Sequence, residues 1–211
     1  MTVQRYDTEV AWLGARSDSI GASEVGSLFD CGWVTREALI AEKVSGVRRP
    51  RDRRAISRMN AGKLLEPVIG ALLGLEFRRL LVPCGWTIYR SPSHPHLHAT
   101  PDFWLIEGEE LVEAKATGPD GLSAWGSFTS RDGDRWWKWN DEPPLKVTLQ
   151  VHAQLAATGA KVGHVACLSG TDLKTWTLQR DEELIAEICA RVVDAVREIT
   201  EQREQRNKEA S

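Results

Sequence analysis

An α/β fold with a central mixed sheet flanked by helices is predicted by three features of the sequence. Apolar residues recur at helical spacing between Ala55 and Leu80 and again between Asp181 and Ile199. Between those stretches, short apolar runs bounded by polar turns read as strands at Trp86–Arg90, Phe103–Ile106, Leu111–Ala114, Val162–Leu168 and Lys174–Leu178. A shorter helix, Leu149 to Gly159, ends on glycine and separates the middle hairpin from the last strand pair.

The 211 residues suit one domain spanning 1–211, able to bury roughly 70 % of its unfolded surface. Lys and Arg number 27 against 30 Asp and Glu, a formal charge of −3, so any polyanion partner must be met by local patches. Cys31, Cys84, Cys167 and Cys189 are scattered without C-x-x-C spacing, which argues against a zinc knuckle or an iron–sulfur site. No basic leader with an apolar core begins the chain and no apolar run approaches ~18 residues, so a cytoplasmic protein without a membrane span is expected.

Residues 1–20 are mixed and polar, with Trp12 and Leu13 as the first apolar anchor. Ser23 is placed to cap a short helix carrying Val25, Leu28 and Phe29, and a second helix starts after Thr35 and reaches Val44. The next segment holds Arg48, Arg49, Arg51, Arg53, Arg54 and Arg58 against Asp52 alone; it is either a solvated run or a contact for a phosphate backbone. Pro67 falls inside the long helical pattern, so the helix bends there or a new one begins. Trp86–Arg90 is the expected first strand of the central sheet, and the loop after it contains His94, His96 and His98, whose two prolines and missing cysteines argue against zinc.

Chemistry concentrates between His98 and Lys115. Asp102 enters the first strand of a hairpin, and Glu113 and Lys115 lie near the end of the second. Side chains alternate along a strand, so Leu111, Glu113 and Lys115 share one face and Val112 and Ala114 the other. Charge on an apolar strand needs compensation, because burying it unpaired costs several kcal/mol or more. Either Lys115 simply neutralises Glu113, or Asp102 and Glu113 hold a divalent metal while Lys115 orients or helps activate a water; Mg²⁺ favours such hard oxygen ligands.

From 118 to 144 the chain is rich in Gly, Asp, Ser and Pro and carries Trp125, Trp136, Trp137 and Trp139 with Arg131, Arg135 and Lys138. Those rings would either stack on unpaired bases or dock against a neighbouring subunit. Gln150 and Gln154 lie one turn apart on the helix that follows. The final helix has Leu184, Ile185, Ile188, Val192, Val193, Val196 and Ile199 on its buried side, with a charged tail expected to fray from about 200.

Pro101-Asp102 followed by Glu113-Ala114-Lys115 resembles the PD-(D/E)XK nuclease signature, whose fold is a restriction-endonuclease-like core. Three further elements, in the same order, resemble the YqaJ-type viral recombinases, the lambda exonuclease-like branch of those nucleases. They are Trp12-Leu13 leading to Arg16 and Ile20-Gly21-Ala22-Ser23, the segment Gly62 to Pro67 with Glu66, and Gln150 to Gly159. The resemblance implies that Asp102, Glu113, Glu66 and the Ala114 carbonyl serve one or two Mg²⁺ ions, with Mn²⁺ as a substitute. It also implies that Lys115 and Gln150 act at the reacting water or phosphate, and that Arg16 and Ser23 take the 5′-terminal phosphate. The activity implied is 5′-to-3′ digestion of linear double-stranded DNA from its ends in phage-type recombination, in a bacterial or phage-infected cell. A single-strand annealing recombinase as partner and a homotrimeric ring are implied as well. A nicking or structure-specific endonuclease of the same fold and a noncatalytic DNA-binding protein are the other readings.

Overall fold

The computed structural model describes residues 1–105, 109–131 and 134–209. Ile106 and the turn after it, together with the side chains of Arg131, Arg135 and Trp136, lie outside the described ones. In chain order the elements are β1 (Thr2–Arg5), α1 (Glu9–Gly14), β2 (Ile20–Gly21), a 3₁₀ helix (Ala22–Phe29), α2 (Arg36–Ser45), α3 (Arg53–Phe77) and β3 (Leu81–Pro83). Then follow β4 (Thr87–Arg90), β5 (Leu97–His98), β6 (Phe103–Leu105), β7 (Glu110–Ala116), a second 3₁₀ helix (Pro119–Ala124), β8 (Gly126–Arg131) and β9 (Asp134–Trp139). The chain closes with α4 (Leu145–Thr158), β10 (Val162–Ser169), β11 (Asp172–Gln179) and α5 (Glu182–Glu209).

The central sheet has the order β11-β10-β7-β6-β3. It is mixed as expected: β7 and β10 run parallel while the other neighbours are antiparallel. A parallel pair requires a crossover, and α4 lies in it. The alternation read along β7 separates two cores. Leu111 joins Val165, Cys167 and the apolar sides of α4, α5 and the first 3₁₀ helix, whereas Val112 and Ala114 join Phe103, Leu105, Ala166 and Leu168 under α3. The middle of the sheet is therefore packed on both faces, and β6 and β10 are accordingly mostly apolar.

Helix α3 starts where Asp52 accepts from the Ala55 amide at 2.6 Å, and it continues through Pro67 without splitting in two. It buries only Ile69, Gly70 and Leu73 along its own length. Gly70 allows a close approach to the sheet, because a Cβ there would stand 2.6 Å from Cζ of Phe103. Glu66 lies one turn before this contact, so the same packing that docks α3 carries Glu66 to the sheet.

Several sequence expectations change. Thr87–Arg90 does not open the central sheet: β4 pairs with β1 in a separate two-stranded sheet. Ser23 does not cap its helix, since the N-terminal amide of Gly21 is taken by Glu24 Oε2 at 2.7 Å. Within 118–144 the chain builds the antiparallel β8–β9 hairpin. Trp125 and Trp139 turn inward onto Trp176, with ring centroids 5.5 and 5.9 Å away, so these rings anchor the hairpin. The tail is helical to Glu209, tied down by Arg203, which donates to the Lys43 carbonyl at 2.7 Å and pairs with Asp18. Val193 faces solvent, and Ala195 takes a buried position instead. No helix among the described residues is long and apolar enough to cross a membrane.

Replacing Gly70 by valine should force α3 away from Phe103 and cost about 2 kcal/mol, measured as a lower midpoint in urea. An unchanged midpoint would show that the close approach does not hold α3 in place.

Candidate nuclease centre and cationic pocket

The β6–β7 ladder begins at Phe103 opposite Val112, so Asp102 directly precedes β6 and Glu113 directly follows Val112 on β7. The Asp102 amide donates to the Val112 carbonyl at 3.1 Å, and Asp102 Oδ2 accepts from the Ala114 amide at 2.6 Å. The backbone of β7 thus fixes the first carboxylate against the second.

Glu113 is only 3 % exposed and is held at both oxygens. Its Oε1 accepts from Lys115 Nζ at 2.5 Å and from Gln150 Nε2 at 2.6 Å, while Oε2 accepts from Gln154 Nε2 at 2.5 Å. Lys115 also donates to Gln150 Oε1 at 3.2 Å. The two glutamines project from successive turns of α4, which packs on this face of the sheet. Gln154, the weaker of the two candidates from sequence, is fully buried, and its Oε1 has no hydrogen-bond partner among the described residues. The Lys115–Glu113 pairing that neutralisation alone would explain is present, but the charges of Asp102 and Glu66 act on that lysine as well.

The electrostatics show the crowding. Burial, then the charge of Glu113, pushes the Asp102 carboxyl well above its usual range, and Glu66 adds to the effect. Burial and Glu113 raise Glu66 likewise. For Lys115, burial favours the neutral amine, but the charges of Glu113, Asp102 and Glu66 outweigh it and the net shift is upward. The lysine is consequently an ammonium, a donor rather than a base, in this arrangement.

Glu66, Asp102 and Glu113 present hard oxygen donors with more negative charge than Lys115 balances, and this donor chemistry fits a divalent cation such as Mg²⁺. Among the described residues no three His, Cys, Asp or Glu side chains are drawn into a closed ligand cluster.

The second predicted pair also meets. Arg16 Nη2 approaches Ser23 Oγ at 3.4 Å, and its guanidinium lies 4.4 Å from the centroid of Trp12. Burial lowers the Arg16 pKa; Glu24 opposes that shift, while Arg48 and Arg51 add to it, so part of the arginine-rich segment faces this pocket. Lys43, itself buried, supports the pocket by donating to the carbonyls of Arg16 and Ser19 at 3.0 and 2.8 Å and pairing with Glu24 at 2.9 Å. Sequence reasoning missed Ser19, Lys43 and His98. Their signal was weak: Ser19 is one more polar residue within the motif, Lys43 sits on α2 well beyond it, and His98 reads as one histidine of a proline-rich loop.

A mixed sheet sandwiched by helices carries this site, with Glu113 and Lys115 both on β7 at its centre. The chain belongs to the YqaJ-like viral recombinase domain family, which residues 11–161 match. Its fold is similar to the crystal structure of an alkaline exonuclease, LHK-Exo, from Laribacter hongkongensis. The identity is 19 %, the TM-score 0.72, and the match covers 95 % of this chain and 97 % of that one. The same exonuclease in complex with dAMP aligns with a TM-score of 0.73 at 19 % identity over the same shares of both chains. A phage-related exonuclease from Haemophilus somnus 129PT aligns with a TM-score of 0.61 at 11 % identity, covering 92 % of this chain and 96 % of that one. Among curated proteins, no relative matches the chain.

Acid crowding has a cost without a cation. Because the folded Asp102 pKa is raised, its contribution to stability is present at low pH and is lost as pH rises through the folded value. Asp102→Asn retains an oxygen for the Ala114 amide and removes one charge. In chelator at neutral pH it should melt above wild type by a few degrees, on the order of 1 kcal/mol; a lower melting temperature would show that the carboxylates do not repel.

Proposed function

We propose that this protein is a phage-type deoxyribonuclease that digests linear double-stranded DNA from its ends. The observation that carries the reading is Glu113, buried midway along β7 and bonded to Lys115 and Gln150, with Asp102 tied to the amide of the next residue, Ala114, and the charges of Asp102 and Glu66 acting on the same lysine. Family membership and the exonuclease fold support the same class. The centre is of the PD-(D/E)XK kind, contained in one nuclease domain.

Asp102, Glu113 and Glu66, with the Ala114 carbonyl, would hold one or two Mg²⁺ ions, for which Mn²⁺ substitutes. A bound divalent ion supplies a water of lowered pKa and offsets charge that develops on the phosphate. The chain's own residues do the positioning. Gln150 and Gln154 lock the Glu113 carboxylate from α4, so its rotamer does not change when substrate arrives. Lys115, kept as an ammonium, donates toward the attacking water and the phosphate oxygens. Gln150, already bonded to both Glu113 and Lys115, keeps the lysine directed into the centre.

Arg16 and Ser23 take the 5′-terminal phosphate. A guanidinium presents a rigid donor fork, and Ser23 adds a hydroxyl near the start of its helix. Binding the end of one strand favours stepwise 5′-to-3′ removal over internal cutting. A single-strand annealing recombinase is the expected partner, and a homotrimeric ring is the expected assembly for processive digestion.

The test is a time course on linear duplexes labelled at each end in turn, with 5′ phosphate or 5′ hydroxyl, with and without Mg²⁺, beside closed circular DNA. Loss of the 5′ label first, faster on phosphorylated ends and only with Mg²⁺, is expected. Cutting of closed circles at a comparable rate would make the protein an endonuclease instead. Lys115→Ala and Asp102→Ala should each lower kcat by at least ~10³-fold while retaining the fold; undiminished digestion by either variant removes the catalytic assignment.

A further inference from the structure

We propose that His98 is the positioning residue of the phosphate pocket: as a neutral acceptor it fixes the Arg16 guanidinium without cancelling its charge. The proposal rests on the reading of Arg16 as the terminal-phosphate group. His98 is 1 % exposed and ends β5, which pairs in parallel with β2. Its Nε2 receives the Arg16 Nε–H at 3.1 Å, and its Nδ1 lies 2.8 Å from Ser19 Oγ.

These contacts determine the tautomer. A guanidinium only donates, so His98 Nε2 must be the bare nitrogen, and Nδ1 carries the hydrogen and donates to Ser19. Ser19 Oγ also accepts from Arg90 Nη2 at 3.2 Å, and Arg90 is fixed in turn on the Ala15 carbonyl at 3.0 Å. Burial, then the charges of Arg16, Lys43 and Arg90, keeps the imidazole unprotonated. Gly21 leaves room for the contact: a Cβ there would sit 3.0 Å from His98 Nε2 and 3.1 Å from Arg16 Nη2.

The choice of residue has a physical reason. An aspartate or glutamate against Arg16 Nε would fix it equally well but would neutralise the charge that attracts a phosphate. The pocket's own acid, Glu24, is instead occupied by the Gly21 amide and Lys43. With Nε held by His98 and one guanidinium face covered by Trp12, the terminal Nη1 and Nη2 edge is what remains for an anion.

The experiment measures kcat and KM for His98→Leu and His98→Gln on linear duplexes with 5′-phosphate or 5′-hydroxyl ends. Leucine removes the acceptor, and glutamine offers Oε1 close to the place of Nε2. His98→Leu should reduce the phosphate-over-hydroxyl preference roughly tenfold, mainly through KM for the phosphorylated end, and His98→Gln should restore most of it. A wild-type preference that survives His98→Leu, or an equal loss on both kinds of end, overturns the proposal while leaving the phosphate reading intact. Equal wild-type rates on both ends overturn the phosphate reading and the proposal together. Should His98→Leu not fold, ¹⁵N chemical shifts of the wild-type imidazole decide: Nδ1–H supports the proposal and Nε2–H overturns it.

Discussion

A carboxylate buried on a strand of apolar neighbours is the constraint that the architecture answers. Glu113 lies between Val112 and Ala114, which face the α3 core, while its own face meets α4. An isolated ion there would cost more than a domain's margin of stability tolerates. Two glutamines and a lysine satisfy its oxygens, and that demand sets which face of α4 packs against the sheet. Asp102 and Glu66 then restore the strain that those partners relieve. An arrangement optimised for stability alone would not set the charges of three acids against one ammonium, which supports the proposal that this site binds a cation.

The two pockets are joined by a very short piece of chain. His98 supports Arg16, and Asp102, four residues later, enters the acidic centre. Between them Thr100 accepts from the Trp12 indole at 3.2 Å and donates to the Thr87 carbonyl at 2.6 Å. The segment is thus pinned to α1 and to β4 on its way from one pocket to the other. The spacing between the Arg16 pocket and Asp102 is then set by backbone rather than by mobile side chains.

Much of this was legible in the sequence because it depends on periodicity. The two-residue repeat of β7 placed Leu111 and Glu113 on one face and Val112 and Ala114 on the other, as the two cores show. The spacing of Gln150 and Gln154 placed both on one side of α4. Other features depend on contacts that no local pattern encodes. Thr2–Arg5 has no apolar alternation, yet it forms β1 because β4 offers it an edge. The residues after Ile199 look like a fraying tail, yet Arg203 reaches the Lys43 carbonyl and Asp18. His98 resembles a loop histidine until Arg16, 82 residues earlier, is folded against it. The tryptophans of 118–144 carried no signal that Trp125 and Trp139 would turn inward onto Trp176.

The central claim is that Asp102 and Glu113, brought together where the Asp102 carboxylate accepts from the Ala114 amide, form one receptor for a hydrated divalent cation. Calorimetric titration of Mn²⁺ into the metal-free protein, compared with Glu113→Gln, tests it without DNA or turnover. Saturable binding by wild type, weakened at least ~10-fold in the variant, is the predicted result. Equal heats and equal affinity for the two proteins would contradict it, because the cation would then be bound elsewhere and the pairing of Asp102 with Glu113 would need another explanation.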